Sequence, residues 1–186
     1  MVDRSAVFIG AVATFVVLMI AIGTYYYRRA RKSSTTDWED LLGRLTPIDR
    51  SSIAEVALDI IDESGQQRKD LRSARLEPSE IWKLLGGMEG VEAIEGNCAI
   101  LIDLASYLQQ WYPEALIVAE QLRLSAREIE WHVSRLKGAT KTGKLEIAIP
   151  MYAQRAAAVY FLMTRRVLDL YEVGSPPMLA SLQKAL

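Results

Sequence analysis

Ala6 to Tyr27 runs for 22 residues without a charged side chain, whereas most later apolar residues recur every three or four positions among polar ones. At about 1.5 Å of rise per residue the run spans roughly 33 Å as a helix, enough to cross a hydrocarbon core of about 30 Å. The pattern therefore predicts an N-terminal membrane span, with Tyr25, Tyr26 and Tyr27 at its far end, where amphipathic rings favour the headgroup layer. A cleavable secretory signal is the rival. Against it, the run is longer than the usual apolar centre, the positive charge follows the run, and no small-x-small cleavage site lies between Ile22 and Arg31.

Arg28, Arg29, Arg31 and Lys32 follow the span, while Asp3 and Arg4 cancel before it. Positive flanks stay on the cytoplasmic side, so the expectation is a short N-terminus outside and a cytoplasmic body at the cell or inner membrane. The four cations serve to set topology or to touch anionic lipid. Residues 1–32 thus form an anchor with a basic juxtamembrane segment. Residues 33–36, Ser33-Ser34-Thr35-Thr36, read as a linker, and a body of residues 37–186 follows.

The body reads as helix after helix. Thr36 and Glu39 have the spacing of a capping box, and so do Ser52 and Glu55. The latter opens a helix with Ile53, Val56, Ala57, Ile60 and Ile61 on one face, ending at Gly65. Pro78 starts a short helix that Gly86-Gly87 stops. From Val91 to Tyr112 a seam of Val91, Ile94, Cys98, Leu101, Ala105, Leu108 and Tyr112 alternates steps of three and four, with a second row of Ile100, Leu104, Tyr107 and Trp111. A helix apolar on two sides is central to a bundle.

Pro113 opens the next helix, expected to run to about Lys137 and stop at Gly138, with a core row of Ala119, Leu122, Ala126, Ile129, Val133 and Leu136. Ile117, Leu124 and Trp131 form a further stripe at seven-residue spacing, either one more intrachain contact or a surface for a protein partner. Leu145 to Glu172 is the last long pattern, with Pro150 marking a start or a kink. Its apolar octet, Ala156 to Met163, is too short between charged flanks to form a second span. Leu179, Leu182 and Leu186 then give the tail one apolar edge.

No strand-length alternation and no repeat appear, so the expected class is all-α: one transmembrane helix and a cytoplasmic bundle of about five or six helices.

Composition narrows the chemistry. Of 186 residues 51% are apolar and 24% charged, with 22 basic against 23 acidic side chains. Setting aside the residues around the span leaves 17 basic and 22 acidic, a net charge of −5 on the body. An acidic body has no face for phosphate backbones, so nucleic acid is excluded as a partner class. One Cys and one His leave little for a disulfide framework, a zinc site or nucleophilic catalysis. Cys98 lies on the core seam, as a buried inert thiol would. Glu55, Asp59, Asp62 and Glu63 form a solvated acidic face with no histidine to complete a metal set.

No catalytic, cofactor or metal residues are therefore assigned. The leading reading is a single-pass, membrane-anchored interaction or scaffold module. Its partners would be the lipid bilayer and a protein, with a homodimer admitted by the small row Ala6, Gly10, Thr14 in the span. The alternative is a small enzyme or ligand-sensing bundle with a pocket from Glu128, His132, Tyr152 and Arg155. A deep polar pocket would favour the alternative, and an exposed apolar groove the interaction module.

Overall fold

A computed structural model describes residues 4–33, 37–62, 64–67 and 76–186, and within 4–33 the side chains of Phe8 and residues 10–24 only. The chain divides into two compact units, Met1–Thr36 and Asp37–Leu186. The first contains, among its described residues, one helix, α1 (Arg4–Ser33), of 30 residues. Among the described residues no helix is long and apolar enough to cross a membrane. The single-pass expectation over Ala6–Tyr27 is to that extent not supported. The side chains of Tyr25, Tyr26, Tyr27, Arg28, Arg29, Arg31 and Lys32 lie outside the described residues, as do Ala6 and residues 34–36 of the expected linker.

The second unit is all-helical among its described residues: α2 (Trp38–Gly43), α3 (Arg50–Leu58), α4 (Pro78–Leu84), α5 (Gly87–Leu108), α6 (Ala115–Lys141), α7 (Leu145–Ala148), a π-helical turn (Ile149–Ala153), α8 (Gln154–Gly174) and α9 (Pro176–Ala185). These are more helices than the five or six expected, because prolines and turns divide the periodic stretches into short pieces. One isolated β-bridge, Ile61 to Gln67, follows α3.

Several boundaries differ from the expectation for local reasons. Asp37 caps α2, accepting the Trp38 N–H at 2.7 Å; Thr36 lies outside the described residues. Asp49, not Ser52, caps α3: its carboxylate accepts the Ser51 N–H at 3.1 Å and the Ser51 and Ser52 hydroxyls at 2.7 Å each. Those donors hold its carboxyl below the ordinary value, the Ser52 hydroxyl most. α3 ends at Leu58 and not at Gly65, since Asp62 turns the chain by accepting the Ser64 and Gln66 N–H groups at 2.9 Å each. α6 passes through Gly138, which is exposed and where a Cβ would meet open space, and ends before Gly143, whose φ is +68°.

Gly86-Gly87 stops α4 as expected, both with positive φ. The corner into α5 is tight: a Cβ on Gly90 would stand 1.7 Å from the Leu85 carbonyl oxygen.

α5 is the central helix, packed against α6 and α8. Val91, Ile94, Cys98, Leu101, Ala105 and Leu108 are buried, and Ile100 and Leu104 of the second row join them. Facing them are Leu122, Ile129, Val133 and Leu136 of α6 and Met163, Val167 and Tyr171 of α8, all fully buried. Burial of a Leu or Ile side chain contributes about 1.5–3 kcal/mol, so these rows dominate the stability of the unit. The Tyr171 hydroxyl donates to the Leu104 carbonyl at 2.9 Å, which satisfies the one polar atom on a ring otherwise inside the core.

Ala156, Ala157 and Ala158 let α8 approach α3 and α5 closely. The tail docks through Leu182, and the Trp38 indole N–H donates to the Ser181 hydroxyl at 3.3 Å, tying α9 to α2.

Candidate functional site

The side chains that packing leaves over identify the site. Along α6 the core row turns inward, and Ile117, Leu124 and Trp131 stand 64%, 65% and 50% exposed. The stripe is a solvent-facing apolar row on one edge of a 27-residue helix, with Trp131 also resting against His132 and Tyr152. Leu116 adds to it at the N-terminal end.

At the other end the row meets the chain again through Pro150. Proline has no N–H to continue the helical ladder, and here the backbone takes a π-helical turn over Ile149–Ala153 instead of a straight helix. Ile149 and Ala153 turn into the core, while Ile147 and Met151 stay exposed beside α6. The result is an open groove of about 660 Å³ whose lining includes Trp131, Arg135, Ile147, Met151 and Tyr152. Arg135 lies over the Trp131 ring, 5.3 Å from its centroid, so a cation is held at the edge of the apolar floor.

Beneath the groove sits His132. Its ring centroid is 5.0 Å from Trp131 and 6.0 Å from Tyr152, and Trp131 and Tyr152 stand 5.7 Å apart edge to face. His132 Nε2 lies 3.7 Å from a Glu128 carboxylate oxygen, too long for a hydrogen bond, and Nδ1 is buried without a hydrogen-bond partner among the described residues. Burial pushes the imidazole pKa below its ordinary value and Arg155 adds to the shift, while Glu128 opposes it. The shift favours the neutral ring, which packs as an aromatic support between Trp131 and Tyr152.

Of the four dispersed polar residues, Glu128, His132 and Tyr152 are thus brought together, with exposed Arg155 near enough to act on His132 electrostatically. Of the four only Tyr152 lines the open groove, with His132 behind it against Trp131.

Cys98, Asp59 and Asp62 make structural contacts. The Cys98 thiol donates to the Ile94 carbonyl at 3.1 Å, and burial pushes its pKa up to about 12. Asp59 accepts from buried Gln154 at 2.8 Å, and Asp62 caps a turn; Glu63 lies outside the described residues. Among the described residues no group of three or more His, Cys, Asp or Glu converges on a metal position.

Sequence reasoning missed Ile147 and Met151 as part of the face, because only the turn at Pro150 brings them beside Trp131. A further polar residue it missed is Asn97, buried between seam positions. Comparison with protein-family models, curated proteins and solved structures yields no match to this chain.

Proposed function

We propose that this chain is a single-pass, membrane-anchored interaction module in which α1 occupies the bilayer and the helical bundle offers the α6 face to a protein partner. The observation that carries the docking half is the exposure of Ile117, Leu124 and Trp131, between 50% and 65%, in a unit whose central seams are buried. Large apolar side chains left exposed in a row on an otherwise well-packed domain favour an interaction surface. The open, aromatic lining of the adjoining groove favours docking over sequestration of a small ligand.

Supporting the anchor, the described large side chains of α1 are exposed and apolar in every direction around the helix, among them Phe8, Phe15, Val17, Leu18 and Ile20. The two threonines donate their hydroxyls within the helix, Thr14 to the Gly10 carbonyl at 2.9 Å and Thr24 to the Ile20 carbonyl at 2.7 Å. Such self-satisfaction suits a medium without water. The cations of residues 28–32 orient the body to the cytoplasm and contact anionic headgroups.

The test uses the full chain in membranes. Resistance to alkaline extraction, protection of the C-terminal body from protease outside intact cells or spheroplasts, and loss of crosslinked partner in Leu124→Glu are the expected results. Alkaline release would overturn the anchor, digestion from outside the orientation, and an unchanged crosslinking pattern in Leu124→Glu the docking face.

A further inference from the structure

We propose that the occupant of the α6 face is a second copy of this chain, its α6 laid antiparallel across a twofold axis at Leu124; the inference rests on the docking reading above. Ile117 and Trp131 lie seven residues to either side of Leu124, and all three are exposed. When a second α6 is turned end for end about Leu124, that residue meets itself and Ile117 meets the second copy's Trp131. An isologous contact requires this kind of self-matching row.

The charged borders of the row match as well. In an antiparallel twofold pair each edge of the row faces the same edge of the other copy. Along one edge Glu120 precedes Leu124 by four residues and Arg127 follows it by three, so Glu120 falls beside the second copy's Arg127, and by symmetry the pair forms twice. Along the other edge Glu114 precedes by ten and Arg135 follows by eleven, another opposite pair, while Gln121 meets the second copy's Glu128 as amide donor to carboxylate.

A parallel twofold pair would instead set unlike edges together, bringing Arg127 beside the second copy's Glu128 and Glu120 beside its Gln121, but Glu114 and Arg135 would then lack an oppositely charged neighbour. Charge order favours the antiparallel arrangement, because only that arrangement adds Glu114 opposite Arg135 to the Glu120–Arg127 pair, each formed twice. Arg123, which would otherwise meet its own copy near the axis, is turned inward, where it pairs with Glu120 and reaches the Ser106 hydroxyl at 3.5 Å. Ile147 and Met151, 70% and 51% exposed, extend the apolar strip beyond Trp131 and widen what one helix alone could bury.

Cysteine crosslinking of the full chain in membranes reads both pairing and direction. The native chain supplies a quiet background, since Cys98 is buried. In the proposed pair Leu124→Cys forms a disulfide-linked dimer by itself. Ile117→Cys and Trp131→Cys form one only when the two variants are co-expressed, because each lies about 21 Å from its own copy, far beyond disulfide reach. Glu120→Arg or Arg127→Glu lowers the Leu124→Cys dimer yield roughly tenfold, and the double reversal restores it.

Self-linking at all three positions would show a parallel pair and overturn the proposal. Leu124→Cys linking only to a different protein would overturn self-pairing while leaving the docking face intact. No link from any of the three, with helical content unchanged, would overturn both.

Discussion

Asn97 of α5 grips the backbone of Thr46 at both ends of its amide: Oδ1 accepts the Thr46 N–H at 2.9 Å and Nδ2 donates to the Thr46 carbonyl at 2.8 Å. The same Nδ2 reaches the Tyr160 hydroxyl at 3.2 Å. One buried side chain therefore fixes the connection between α2 and α3 onto the central helix and α8. Asn97→Ala should lower stability by about 1–3 kcal/mol, since it strands groups that the amide satisfied. Chemical denaturation should show the loss, and amide exchange should rise locally at Thr46 before the core exchanges. Unchanged exchange at Thr46 would show that the clasp does not hold the connection.

The depressed His132 pKa sets a pH dependence of known sign. A histidine whose folded pKa lies below its unfolded value of about 6.5 binds fewer protons when folded, so its stability contribution is complete above that value. The contribution falls as pH drops below it toward the folded pKa. The denaturation midpoint should therefore fall between about pH 7.5 and pH 5.5, and His132→Phe should shrink the fall. An equal fall in the variant would mean that other groups carry it.

Leu101 is fully buried at the centre of the α5 seam. Leu101→Ala should cost about 2–5 kcal/mol through lost transfer and a residual cavity. The exposed Leu124→Ala should stay within about 0.5 kcal/mol in the dissociated protein. Similar midpoints for the two would show that inner and outer rows of the bundle had been exchanged.

These residues also show what sequence can and cannot reveal. The α5 seam was legible because steps of three and four leave one answer to which side is buried. The start of α3 was not: the Ser52–Glu55 spacing placed the cap three residues late, and only the fold shows that Asp49 gathers three donors. Gly138 misled for a related reason, since an exposed glycine weakens a helix by about 1 kcal/mol without ending it, and a 27-residue helix absorbs that. The row Ile117, Leu124, Trp131 could be read as a row, but its exposure depended on whether another helix lay over it. Asn97 gave no signal, because a polar residue beside a seam looks like a solvent position until a partner from 51 residues away arrives.

The corner between α4 and α5 carries a consequence for how this protein can diverge. With the Leu85 oxygen where a methyl group of residue 90 would need to be, the two helices share a joint defined by a missing atom. Any descendant that acquires a side chain there must prise the joint apart, and with it the seating of Ile81 and Val91, which flank it in the core. Relatives that keep this architecture while drifting everywhere else should still be recognisable by a glycine five places after the last leucine of α4's closing turn.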